Sequence, residues 1–241
     1  MADLKQVVAE VIARRVQDGE TIGIGSGSTV WLAIEKIAQR VAKENLKISC
    51  LAASHASAFA AERAGLNVLP LISERKLDWA FDGADEVDPQ LNLIKGAWGA
   101  MLKEKILAQR SEKFVVIVSE DKLVKRLGKK FAVPVEVVPE AAFIVQEELA
   151  KLGAVDVRLR KDEKKGSPFN TEHNNFVLDA KFKNIEPSLE AQINALPGVL
   201  DNGIFINRAS EVLIAKASGV YSLRRCAGQI KEELILSPDK F

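Results

Sequence analysis

Apolar residues recur at helical spacing from Leu4 to Val16, at Leu4, Val7, Val8, Val11 and Ile12, and Asp18-Gly19 closes the pattern. The period then shortens. Thr21–Ile24 is β-branched and reads as a strand, a glycine-serine loop follows, and Val30–Ala42 returns to helical spacing with Leu32, Ile34 and Ile37 as packing positions. Strand, loop and helix in that order make the basic element of a parallel α/β fold. The pattern repeats: strand at 47–52, helix at 57–64, short strand at 67–70, strand at 77–81 running into Asp82-Gly83, helix at 100–109. Phe114–Val118 is an uninterrupted apolar run, as expected of a parallel strand buried on both faces.

The texture changes after Lys130. A strand is expected at 133–138, a helix at 141–152, strands at 155–160, 175–179 and around Phe182, and a helix at 189–196, with a charged turn at 161–168. Residues 132–206 therefore read as a smaller α+β unit set into a main body of 1–131 and 207–241. Gly203–Ile206 and Glu211–Ala215 are expected to be strands that return to the main body.

Length and composition narrow the class. At 241 residues, 47% hydrophobic and 28% charged, the chain can bury a core and keep a charged surface. A net charge of +1 gives no global drive toward nucleic acid or membrane, and no apolar run is long enough to span a bilayer. Lys5 and the amphipathic pattern around it lack the basic-then-apolar order of a secretion signal, so a cytoplasmic protein is expected. Cys50 and Cys226 do not make a disulfide framework, and Cys50 reads as a buried thiol. His55 and His173 stand far apart, which argues against a structural zinc site; carboxylate-held magnesium stays open.

Two segments carry candidate chemistry. Gly23-Ile24-Gly25-Ser26-Gly27-Ser28-Thr29 joins a strand to a helix. Its glycines permit close approach, the helix N-terminus offers unpaired N–H groups, and three hydroxyls add donors, which together suit an anion. The loop lacks the lysine of a Walker A sequence, and its G-x-G-x-G spacing is not the G-x-G-x-x-G of dinucleotide sites. A serine-rich helix cap without ligand is the plain alternative. The second segment, 81–88, empties a core strand into Asp82, Asp85, Glu86 and Asp88, where open α/β sheets place their sites; a solvated turn is the alternative reading. Lys95 and the small residues after it come next, with Glu104 one turn into the following helix. Carboxylates beside a lysine, with no serine–histidine–acid pattern, suit proton abstraction next to a carbonyl, and a phosphate grip would supply remote binding energy.

The blocks GIGSGSTV (23–30), FDGADEVDPQLNLIKG (81–96), LKEKI (102–106), VPVEVVP (133–139) and PGVLDNGIF (197–205) resemble ribose-5-phosphate isomerase of the A type over essentially the whole chain. The resemblance implies a Rossmann-like parallel sheet domain with a smaller α+β, ferredoxin-like domain serving as lid and for oligomerisation. It implies interconversion of ribose 5-phosphate and ribulose 5-phosphate without a cofactor or metal. The partner would be a small sugar phosphate rather than nucleic acid or membrane, and the assembly a homodimer or homotetramer. By the same resemblance the general base falls on Glu104, the other catalytic positions on Asp82, Asp85 and Lys95. Substrate-binding positions fall on Lys5, Ser26, Gly27, Ser28, Thr29, Gly96, Ala97, Trp98, Gly99 and Lys122.

The chain departs from the family pattern in places. Ser26 stands for a threonine, Ala53 for a threonine ahead of Ser54, and an aspartate usual before Lys122 is replaced near Ser119. KGAWGA replaces KGGGAA or KGRGAA, so Trp98 is bulky where small residues are usual. Glu172-His173-Asn174-Asn175 replaces Asp-Asn-Gly-Asn, with Asn174 able to take the left-handed conformation of the glycine. A related sugar phosphate and a non-catalytic phosphosugar-binding module are the competing functions.

Overall fold

The computed structural model describes residues 4–226 and 228–240. In chain order the elements are α1 (Leu4–Ala13), β1 (Thr21–Ile24), α2 (Ser28–Glu44), β2 (Ser49–Ala52), α3 (His55–Arg63), β3 (Asn67–Leu69), β4 (Trp79–Asp82), β5 (Glu86–Val87), β6 (Leu93–Ile94) and α4 (Met101–Arg110). They continue as β7 (Phe114–Ser119), β8 (Val133–Val137), α5 (Ala142–Lys151), β9 (Ala154–Leu159), β10 (Phe176–Phe182), α6 (Leu189–Asn194), β11 (Val199–Asn202), β12 (Ile204–Phe205), β13 (Glu211–Lys216), β14 (Gly219–Cys226) and β15 (Gln229–Leu236). The chain forms two compact units. One gathers the described residues of Met1–Ala84, Lys103–Lys122 and Arg208–Phe241; the other is Asp85–Leu102 with Leu123–Asn207.

The first unit is Rossmann-like. Its eight-stranded sheet runs β15-β14-β13-β7-β4-β1-β2-β3, parallel from β13 to β3, with β14 and β15 added antiparallel. β1 and β4 are buried at every residue, and β7 at all but its last, because helices cover a parallel sheet on both faces. Val8, Val11 and Ile12 of α1 and Ala33, Ile34 and Ile37 of α2 share one core with Ile22, Ile24, Phe81 and Ile117. Arg40 of α2 donates to the carbonyls of Ala13 and Val16, both at 2.7 Å, and so satisfies acceptors that the end of α1 leaves open. Cys50 lies in β2, and burial pushes its thiol up to about 12, so it is an inert core residue.

The second unit carries a four-stranded antiparallel sheet in the order β11-β8-β10-β9. With α5 and α6 it follows the β-α-β-β-α-β connectivity of the ferredoxin-like fold. Val133, Val135 and Val137 pack with Leu149, Leu178 and Ile193. A second, three-stranded sheet, β12-β6-β5, belongs to the same unit.

That small sheet changes two expectations. Gly203–Ile206 does not return to the main sheet: Ile204 pairs with Ile94 and Phe205 with Leu93, so β12 completes the β5–β6 hairpin. Residues 85–102 and 123–131 accordingly group with 132–207, whereas sequence texture began the smaller unit at 132. The two strands expected at 175–179 and around Phe182 are one, β10. The β14–β15 hairpin was not anticipated. Among the described residues no helix is long and apolar enough to cross a membrane.

Glu211, the first residue of β13, ties the end of α1 to the sheet. Arg15 donates to both of its oxygens at 2.6 and 2.9 Å, Arg224 donates at 3.0 Å, and the Ser222 hydroxyl adds a further bond. Burial alone would raise the carboxyl, but these donors outweigh it and hold the pKa at about 2 against an ordinary 4.5. A depressed carboxylate stabilises the fold fully above its unfolded pKa and loses that contribution as pH falls through the folded one. Glu211→Gln should therefore cost roughly 2 kcal/mol near neutrality. The deficit should shrink from pH 4.5 toward pH 2 in urea unfolding measured across that range. An equal deficit at both ends would contradict the assignment.

Candidate active site

In the main sheet the chain leaves β1 toward β2 and β3, then returns through β4 to β7 and β13 on the other side. The carboxyl ends of β1 and β4 thus flank the topological switch point, where open α/β sheets bind ligands. The glycine-serine loop leaves β1 at this place. A Cβ at Gly23 would fall 2.5 Å from that of Ala80, and a Cβ at Gly25 would fall 2.0 Å from Cγ of Asp82. These two glycines thus make room for the neighbouring strand rather than for a ligand. Gly27, with φ 109°, meets a conformational need and is the N-cap of α2.

Asp82 ends β4 and is 1% exposed. Its Oδ1 accepts from the N–H of Ser26 at 2.9 Å and of Gly83 at 2.7 Å, so the carboxylate lies under the loop and holds its backbone. No side chain caps α2, and its first turn keeps the unpaired N–H groups that suit an anion. Lys5 donates to the Ser28 hydroxyl at 3.0 Å, which brings the N-terminal lysine to the loop. Thr29 is half-buried within the first turn. The Ser26 hydroxyl is buried and has no hydrogen-bond partner among the described residues. A buried, unpartnered hydroxyl is costly unless a ligand completes it. Glu104 lies in the first turn of α4 and is 3% exposed. Lys122 ends the 3-10 turn 120–122 after β7, with Nζ 3.8 Å from Asp121.

The second unit holds the other residues. Asp85 Oδ2 accepts from the N–H of Ala97 at 3.1 Å. Lys95 follows β6 and is 2% exposed, with its backbone N–H on the Gly203 carbonyl at 2.9 Å and its ammonium 5.7 Å from the Phe205 ring centre. Residues 96–99 form a tight turn closed by Gly99 N–H on Gly96 O at 3.0 Å. The Trp98 side chain is 64% exposed. The small residues remain necessary around it: a Cβ at Gly99 would fall 2.5 Å from the Phe169 ring.

Two acids of the 81–88 block have structural tasks. Glu86, fully buried, accepts from the backbone N–H groups of Gly128, Lys130 and Phe131. Asp88 accepts from Gln90, Asn92 and the Asn92 amide and holds the β5–β6 turn. In segment 171–175 Asn174 does adopt the left-handed conformation, at φ 60°. Thr171 and Asn175 both donate to the buried Glu136 of β8, at 2.7 and 3.0 Å.

A family model described as ribose 5-phosphate isomerase A (phosphoriboisomerase A) matches residues 49–219. The chain belongs to the ribose 5-phosphate isomerase A family. It is 42% identical over 224 residues to the ribose-5-phosphate isomerase A of Methanothermobacter thermautotrophicus, covering 92% of this chain and 98% of that one. The solved ribose 5-phosphate isomerase A of Methanocaldococcus jannaschii is 38% identical, with a TM-score of 0.89 over 92% of this chain and 99% of its own. A D-ribose-5-phosphate isomerase solved in complex with phospho-erythronic acid is 36% identical, with the same TM-score, over 92% of this chain and 98% of its own. Members of this family are isomerases of a pentose phosphate, and this chain is an enzyme of that kind.

The contact between positions 25 and 82 can be tested directly. Gly25→Ala should force the loop away from Asp82. A loss of about 1–3 kcal/mol is expected from overpacking, read as a lowered melting temperature, together with weaker inhibition by inorganic phosphate. Unchanged stability and inhibition would show that the loop has slack.

Proposed function

We propose that the chain interconverts D-ribose 5-phosphate and D-ribulose 5-phosphate through an enediolate, with Glu104 as general base. The observation that carries this reading is the loop at 26–29, an uncapped helix N-terminus with Lys5 on Ser28 and an unsatisfied Ser26 hydroxyl, in a chain of this family. The loop and Lys5 would hold the phosphate, with Lys122 as a further substrate contact. Asp82 would move the hydroxyl proton that opens the sugar ring. Glu104 would then take the proton from C2; the C–H electron pair forms the C1=C2 bond and the carbonyl electrons move onto O1. As C2=O forms, the proton on O2 passes to O1, and the C1=C2 electron pair takes the proton back from Glu104 at C1.

Lys95 would balance the charge that develops on the oxygen. The N–H groups of Ala97 and Gly99 are engaged within the unit, on Asp85 and on the Gly96 carbonyl. Asp85, bonded to Ala97, would orient the turn and a sugar hydroxyl. A homodimer or homotetramer in the cytoplasm completes the proposal, on the family resemblance alone.

Glu104→Gln keeps the shape and removes the base. Its kcat should fall by about 10²–10⁴-fold, with KM and competition by phospho-erythronic acid nearly unchanged, in an assay following ribulose 5-phosphate formation. Near-normal turnover would remove Glu104 from this role. The same assay on a panel of pentose and hexose phosphates should favour ribose 5-phosphate; preference for another sugar would instead point to the departures at Trp98 and 171–175.

A further inference from the structure

We infer that Arg160, at the end of β9, is a positioning residue that fixes the 96–99 turn and through it Lys95. Its guanidinium makes four hydrogen bonds within the second unit. Nη1 donates to the carbonyls of Gly96 and Ala97, both at 2.9 Å. Nε donates to Asp179 Oδ2 at 2.9 Å and Nη2 to Oδ1, so a bidentate carboxylate on β10 sets the plane of the group. The Arg160 carbon Cζ stands 5.7 Å from the centre of the Phe169 ring. That ring fills the space which the missing side chain of Gly99 leaves.

The turn is therefore held from two sides. Asp85 takes the N–H of Ala97, and Arg160 takes the carbonyls of Gly96 and Ala97. Gly96, Ala97 and Gly99 bring almost no side chain to fix the turn, and glycine loses more conformational freedom on ordering than other residues. Only a group with several donors in a rigid plane can grip two consecutive carbonyls and a carboxylate together. Lysine offers a single nitrogen and cannot reproduce this. Nothing in the pattern of residues marks the role, since Arg160 reads as a charge at the end of a strand.

This inference rests on the isomerase reading, in which Lys95, next to the turn, balances the charge of the developing oxyanion. A misplacement of about 1 Å in such groups can cost on the order of 10²-fold in rate. The test is Arg160→Ala, assayed with ribose 5-phosphate, with inhibition by inorganic phosphate measured in parallel. The expected result is a kcat lowered by roughly 10- to 100-fold, a phosphate inhibition constant within about threefold of wild type, and partial recovery of kcat in millimolar guanidinium chloride. The phosphate constant should hold because residues 26–29 and Lys5 lie in the other unit. A kcat within twofold of wild type would overturn the inference. So would a loss of kcat that guanidinium does not restore and that weakens phosphate inhibition equally. If Arg160→Ala does not fold, Arg160→Lys decides: a tenfold fall in kcat at unchanged phosphate inhibition supports the role, and wild-type kcat overturns it. Failure of the wild-type chain to turn over ribose 5-phosphate would remove the isomerase reading itself.

Discussion

The carboxylate of Asp82 occupies the space that a side chain at position 25 would take, and much of the first unit's chemistry depends on that exchange. Because Gly25 has no Cβ, an acid at the end of β4 can reach the backbone of the loop that leaves β1. The N–H groups of Ser26 and Gly83 then hold the carboxylate in place and the carboxylate holds the loop. A buried acid is expensive without such donors. With them, it both shapes the loop after β1 and stands at the switch point of the sheet with one oxygen committed to structure.

That arrangement explains why the loop was only half legible. The spacing of strand, glycines, hydroxyls and helix marked residues 23–29 as an anion site, and the lack of a cap on α2 agrees with it. The glycines' purpose could not be read from the chain. Gly23 and Gly25 answer to Ala80 and Asp82, some 57 residues away in sequence, and local pattern carries no record of that contact. Gly27 alone is explained by its own backbone.

The same limit applies to the fold. Parallel strands buried on both faces, such as Phe114–Ser119, announce themselves as apolar runs, and the helices between them keep a 3.6-residue period. β5, β6 and β12 have two residues each, too few for any period; β5 and β6 pair as a local hairpin, and β12 joins β6 from more than a hundred residues away. Glu86 added to the difficulty: inside an acidic run it reads as surface, yet it is buried because three backbone N–H groups of the 128–131 segment need an acceptor. β14 and β15 were hidden differently. Their charged residues break the alternation expected of strands, and β15, at the edge of the sheet, is largely exposed, as edges that must resist pairing with other chains commonly are.

Four carboxylates in one short block illustrate why residue type alone does not assign a role. Asp82 organises the loop, Asp85 takes one N–H of the 96–99 turn, Glu86 satisfies a buried segment and Asp88 closes a hairpin. Only the first two touch segments with candidate chemistry, and what separates them from the others is the identity of the donors they accept from. The same criterion sets Arg160 apart from Arg40 and Arg15. Arg40 and Arg15 spend their donors on helix ends and a buried glutamate, which holds the fold together. Arg160 spends two of its bonds on the carbonyls of a turn next to Lys95. A turn built from small residues leaves its backbone open to a substrate, and the rigidity that its own side chains cannot supply has to come from outside it.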